Sequence, residues 1–181
     1  LEWTGGDLGR RGDEHPRHAA EGRRGDATGL SRVELYVNFD RPLAPEELDR
    51  MHAGIERRAA GEPLQYVTGE MPFRHIVLRC EKGVLIPRPE TEVLVDAALE
   101  GVDAAAHAAG GPTRVLEIGT GTGCISLSVA SERPGTRVVA TDLSPVAVDL
   151  ATRNREALGL ADAVDIVQTD LAADVDPALM G

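Results

Sequence analysis

Three short apolar runs recur in the second half of the chain: Val115-Leu-Glu-Ile118, Val138-Val-Ala140 and Val164-Asp-Ile-Val167. Each is too short for a helix and is closed by glycine, acid or polar residues, which predicts buried parallel strands. The segments between them carry helical signals. Ile125 to Glu132 ends at Pro134-Gly135, and Pro145 to Leu158 begins after Ser144 and ends at Gly159. Ser144-Pro145 supplies a cap and a first-turn proline. Strand, helix, strand, helix, strand with short connections predicts an α/β fold whose parallel sheet is wound right-handedly.

The first half reads differently. Residues 1 to 31 are polar and glycine-rich with no sustained stripe, and Ser31 to Phe39 gives only a short apolar patch. Pro45 to Ala60 is a helix by its signals: proline first, Glu46 and Glu47 in the first turn, Arg57 and Arg58 in the last, and Gly61 as stop. Leu48, Met51, Ile55 and Ala59 fall on one face, expected to be core. From Pro63 to Pro87 the β-prone runs Leu64–Val67, Ile76–Leu78 and Val84–Ile86 predict a hairpin linker. Pro87-Arg-Pro-Glu-Thr-Glu92 then opens a helix carrying Leu94, Ala97, Ala98 and Val102, and Ala104 to Pro112 reads as a small-residue linker. Two prolines hold Arg88 extended, so Arg88 and Glu90 serve either a ligand or only the helix entry.

The candidate chemistry gathers at the ends of the three strands. Gly119, Gly121 and Gly123 alternate in a turn between a strand and a helix, where bare backbone lets a ligand approach. A dinucleotide fingerprint wants Gly-x-Gly-x-x-Gly, and its third glycine position is Cys124 here. Gly119-Thr120-Gly121-Thr122-Gly123 with Glu117 at the strand end instead suits S-adenosylmethionine, because a carboxylate attracts a sulfonium and an amino group and repels pyrophosphate. Asp142 ends the next strand about twenty residues on, where such folds place the acid that accepts two ribose hydroxyls. With Ser144 capping the following helix, Asp142 is expected to be free for a ligand. Asp170, after the third strand, is placed for an adenine amino group; alone it would be a solvated loop acid.

Charge and cysteine count narrow this. The formal net charge is −11; residues 1–90 hold fourteen Lys/Arg against sixteen Asp/Glu, and residues 91–181 hold five against fourteen. An acidic second half argues against a broad phosphate-binding face there, and direct nucleic-acid binding is not expected. Cys80 and Cys124 stand far apart with no CxxC, so neither a disulfide framework nor a zinc site is implied. Cys124 is expected to be a buried packing residue. His15 and His18 lack a third ligand, so no metal site is assigned. No signal peptide or long apolar span is seen, which places the chain in the cytoplasm and off the membrane. It starts at Leu1 without a methionine and stops at Gly181 after the third strand, so both ends are read as cut.

Four segments together are similar to one family. Glu62-Pro-Leu-Gln-Tyr-Val-Thr-Gly69, Val84-Leu-Ile-Pro-Arg-Pro-Glu-Thr-Glu92, Leu116-Glu-Ile-Gly-Thr-Gly-Thr-Gly123 and Thr141-Asp142 resemble the peptide chain release factor glutamine methyltransferases, the HemK/PrmC family. The resemblance runs from about residue 31 to the end. It implies a helical release-factor-docking domain (1–62), a β-hairpin linker (63–87) and a Rossmann-like S-adenosylmethionine-dependent methyltransferase domain (88–181) that is partial, holding its first three strands. It implies methyl transfer from S-adenosylmethionine to the side-chain amide nitrogen of the glutamine in a release factor's Gly-Gly-Gln loop. The family's cofactor loop falls on Gly119 to Gly123, its ribose acid on Asp142 and its adenine-side contact on Asp170. The family's Asn-Pro-Pro-Tyr clamp, which would aim the amide nitrogen, is absent from this chain, so no catalytic residue is assigned and the segment alone is expected not to turn over. At residues 18 to 24 the family's apolar helical stripe is replaced by His18, Gly22, Arg23 and Arg24.

Three other readings stand beside it. An adenine-N6 methyltransferase on DNA or rRNA would use the same loop but wants a basic, aromatic-interleaved stripe. A non-catalytic module would bind the cofactor without transfer, and an NAD enzyme would prefer NAD.

Overall fold

The computed structural model describes residues 40–109 and 112–180. The patch at Ser31–Phe39, the histidines His15 and His18 and the departure at residues 18–24 lie outside the described residues. Contacts divide the chain after Gly69 into two compact units.

In the first unit, helix α1 (Pro45–Ala59) starts where Glu47 reaches back to accept the Ala44 N–H at 2.8 Å. Arg41 donates to the same carboxylate and holds it below the usual range. Met51 and Ile55 are buried against Leu43 and Leu64. Leu48, expected in that face, is exposed, because the buried stripe is only two turns long and runs through Gly54. Leu64–Thr68 is a short helix, α2, and not a strand. The Pro63 carbonyl accepts the Tyr66 and Val67 N–H groups, and Gly69, at φ +81°, closes it in the left-handed conformation. Leu64 thereby turns onto α1.

The second unit opens with the hairpin, assembled one step later than the sequence suggests. Strands β1 (Glu70–Phe73) and β2 (Ile76–Arg79) pair antiparallel around the turn Arg74-His75. Alternation sends Phe73, Ile76 and Leu78 inward, where Phe73 and Leu78 are fully buried. Burial of such a side chain stabilises by about 2 kcal/mol. Val84–Ile86 is not a strand.

Arg74 sits at φ +49° and ties the hairpin to the helices. Its guanidinium donates twice to Glu132, at 2.6 and 2.9 Å, and once each to Asp96 and the Glu92 carbonyl, while its N–H reaches Glu92 Oε1 at 3.3 Å.

Helix α3 (Pro89–Ala109) runs through residues 104–109, expected as a linker, since alanine has the highest helix propensity. Its buried face is Val95, Leu99 and Val102, so Leu94 and Ala97 point outward. Strands β3 (Arg114–Ile118), β4 (Arg137–Asp142) and β5 (Val164–Gln168) form a parallel sheet in that order, with Val115 opposite Val138 and Ala140 opposite Ile166. Helices α4 (Cys124–Glu132) and α5 (Pro145–Ala157) are the crossovers, and a short α6 (Pro177–Met180) follows β5. One core joins Phe73 and Leu78, Val95 and Leu99, Leu127 and Val129, and Val138 and Val164. In-register parallel strands bring Ile118, Asp142 and Gln168 to the same end of the sheet.

Candidate functional site

At that end the loop Gly119–Gly123 leaves β3 and starts α4. The three glycines are at φ +78°, +58° and +83°. Their surroundings differ. A Cβ built on Gly119 meets nothing within 4 Å and one on Gly121 meets only Val84 Cγ1 at 3.8 Å, whereas one on Gly123 would lie 2.8 Å from Leu127 Cδ1. Gly119 therefore leaves open space above the backbone, Gly121 has Val84 against it at ordinary van der Waals distance, and Gly123 allows the loop to close on its own helix.

Strand tips hold the loop. The Thr141 carbonyl accepts the Gly119 and Thr120 N–H groups at 2.8 and 2.9 Å, Asp142 Oδ2 accepts that of Gly121 at 2.9 Å, and the Thr120 carbonyl accepts that of Gly123 at 2.9 Å. Four amides spent on protein acceptors are not offered to an anion. The loop presents bare carbon surface rather than a pyrophosphate nest, as the spacing suggested.

Glu117 lies under this loop. Its Oε2 accepts from Thr120 Oγ1 at 2.8 Å and from the Ser126 N–H, at the start of α4, at 3.1 Å. Neither of these two bonds uses Oε1, which keeps its acceptor capacity. Burial raises the carboxyl's pKa and the nearby Asp142 adds to that, while the bonds from Thr120 and Ser126 oppose it. Thr120 and Thr122 are both buried, so their backbone and not their hydroxyls lines the open side.

Asp142 is half-buried and is not free: Oδ2 takes the Gly121 N–H and Oδ1 takes the Ser144 N–H at 2.9 Å. Ser144 does cap α5, but weakly, through Oγ to the Ala147 N–H at 3.4 Å. A carboxylate oxygen carries more than one acceptor site, so each can still receive a hydroxyl. Asp170 is exposed just beyond β5, with its carbonyl accepting the Ala173 N–H. Its turn is tied back by Thr141 Oγ1, which donates to the Leu171 carbonyl at 2.7 Å. Glu117, the glycines, Asp142 and Asp170 thus share one end of one sheet. Arg88 and Glu90 are exposed at the entry to α3, and no hydrogen bond or ion pair joins them to the loop.

Four contributors escaped the sequence reading. Thr141, fully buried, supplies the carbonyl that pins the loop. Val84 packs against Gly121 on the side a Cβ would occupy, Asn154 of α5 donates to the Thr122 carbonyl at 2.9 Å, and Leu143, an apolar residue beside Asp142, is 68% exposed. Only Asn154 left a signal, as the polar member of the stripe Ala147, Leu150, Ala151. Cys124 is buried and its thiol is pushed up to about 11, first by burial and then by Glu117, so it is a packing residue. Among the described residues no cluster of His, Cys, Asp or Glu is arranged to hold a metal, and no helix is long and apolar enough to cross a membrane.

A parallel sheet with a bare glycine loop after β3 and an acid at the tip of β4 is the Rossmann-like methyltransferase arrangement expected from the sequence. Comparison with known proteins agrees. Residues 1–69 match the family model "PrmC N-terminal domain" and residues 99–180 match "Methyltransferase small domain". Release factor glutamine methyltransferases are 45% identical in Geobacter sulfurreducens, over 88% of this chain and 54% of that protein, and 38% identical in Chlorobaculum tepidum, over 93% and 58%. That of Escherichia coli is 38% identical over 87% of this chain and 54% of that protein. The chain belongs to the release factor glutamine methyltransferase (HemK/PrmC) family. It spans a little over half the length of these curated relatives.

Proposed function

We propose that the protein binds S-adenosylmethionine over the glycine loop and, at full length, methylates the side-chain amide nitrogen of the glutamine in the Gly-Gly-Gln loop of a peptide chain release factor in the cytoplasm. The carrying observation is the open space at Gly119 in a loop held by the carboxylates of Glu117 and the half-buried Asp142 at neighbouring strand ends. The cofactor supplies an activated methyl group on a cationic sulfur. Glu117 Oε1 accepts the ammonium of its amino-acid portion, Asp142 accepts the ribose hydroxyls, Leu143 gives the adenine an apolar face, and Asp170 receives its amino group. Gly119, Gly121 and Gly123 line the approach with backbone, as do Thr120 and Thr122. Arg88 and Glu90, at the start of α3, are assigned to the substrate side. Residues 1–62 dock the release factor, 63–87 link, and 88–181 hold the cofactor; no membrane and no direct nucleic-acid contact enters this reading.

Labelled methyl transfer by the full-length protein tests it. Label is expected on the release factor, and substitution of the Gly-Gly-Gln glutamine by alanine removes it. Label on DNA or rRNA with none on the release factor would reject the assignment in favour of adenine methylation.

A further inference from the structure

Helix α5 carries one polar side chain on its buried face. Ala147, Leu150 and Ala151 make that face apolar, and Asn154 continues it at 1% exposure. A carboxamide so placed is destabilising unless it is bonded. Asn154 is bonded on three sides. Nδ2 donates to the Thr122 carbonyl at 2.9 Å and to the Arg79 carbonyl at 3.3 Å, and Oδ1 accepts the Arg79 N–H at 2.8 Å. One side chain thus takes both backbone groups at the end of β2 and one carbonyl of the glycine loop. Separating hairpin from loop would strand its amide.

The neighbouring residues repeat the join. Arg153 donates twice to Glu81, at 2.5 and 2.9 Å. Val84 is buried with Ala147 and Leu150, and its Cγ1 lies against Gly121. The chain from Arg79 to Val84 is therefore a strap laid along α5 that ends against the loop.

We infer that Asn154 is a positioning residue for the cofactor site: it fixes the glycine loop through the Thr122 carbonyl and locks it to the hairpin, so that the two move as one piece. This rests on reading the loop as the S-adenosylmethionine site. Asn154 acts on the carbonyl of Thr122, which stands between Gly121 and Gly123, the two residues whose left-handed conformations shape the loop. A loop released from it samples other conformations, and affinity falls by the fraction of time the binding geometry is lost.

Calorimetric titration of the protein with S-adenosylhomocysteine tests this, read for both Kd and stoichiometry well below each variant's melting temperature. Asn154→Ala is expected to raise Kd about tenfold, the loss of roughly one hydrogen bond, with stoichiometry unchanged. Asn154→Asp keeps the side-chain size and the acceptor for Arg79 but turns a carboxylate oxygen toward the Thr122 carbonyl, so its Kd rises at least as far. Val84→Ala leaves every hydrogen bond in place and raises Kd about threefold; it carries the test if the Asn154 variants do not fold. A residue that merely supports the fold lowers melting temperature and stoichiometry while Kd stays put. That pattern in the variants that fold, with the parent protein binding normally, overturns the inference alone. Absence of binding in the parent protein overturns the cofactor reading and this inference with it.

Discussion

The turn at Arg74 and the loop from Gly119 to Gly123 both need left-handed backbone, with φ +49° at Arg74 against +58° to +83° at the three glycines. At the loop the cost is avoided by removing the side chain, which also bares the surface a ligand must reach. At the hairpin the cost of about 1–2 kcal/mol is accepted, because the arginine's side chain reaches Glu132, Asp96 and Glu92 and joins three elements. The same backbone demand is met by emptiness where something must approach and by clamping where scaffold must hold. Within the loop the contrast repeats, since Gly123 is filled by Leu127 and Gly119 faces open space.

The sharpest way to break this comparison is inside the loop. Gly123→Ala combines a clash with Leu127 and a strained φ, and is expected to cost about 3 kcal/mol by chemical denaturation. Gly119→Ala meets no atom and is expected to cost about 1 kcal/mol while its methyl group blocks S-adenosylhomocysteine binding. Equal stability losses would show that the two glycines do not divide packing from ligand approach.

At the hairpin, Arg74→Ala leaves Glu132, mostly shielded from water, without its partner, a loss of about 2 kcal/mol. Arg74→Gly also removes the left-handed strain and is expected to recover about 1 kcal/mol of that. Arg74 holds the Glu132 carboxyl below its ordinary 4.5. The stability it contributes is therefore present above 4.5 and lost as pH falls through the lowered folded value. The gap between parent and variant should close in acid, and a gap independent of pH would remove the ion pair from the account.

The smallest effect is expected at Glu117, whose folded pKa is raised mainly by burial. Its ionisation opposes folding: the penalty is absent below the ordinary 4.5 and complete above the raised folded value. Glu117→Gln should be more stable at neutral pH, with the difference vanishing in acid. The same variant should bind S-adenosylhomocysteine more weakly, since the ligand's ammonium loses its counter-charge. A variant both less stable and equally tight would mean that Glu117 serves only as the cap of α4.

Much of this was written in local pattern. Short apolar runs between capped helices sufficed for the parallel sheet; the run without a polar residue, Val138-Val-Ala140, is the one buried along its length, while β3 and β5, each with one acid, are only half-buried. Alternate glycines after a strand, with acids at the next strand ends, sufficed to locate the site, because no side chain can occupy a left-handed turn that must also stay open. The sequence was misread where neighbours outvote propensity: Leu64–Thr68 coils because Pro63 starts a turn and Leu64 is drawn onto α1, and Val84–Ile86 stays irregular because Val84 is pulled against Gly121. Which partners Asp142 keeps, what closes over Gly123, and that Asn154 joins residues 75 and 32 positions away were decided only in three dimensions. Sequence carries periodicity and residue chemistry, which act within a few positions. Hydrogen bonds between distant segments depend on where the packed core sets each backbone, and that is a property of the folded whole.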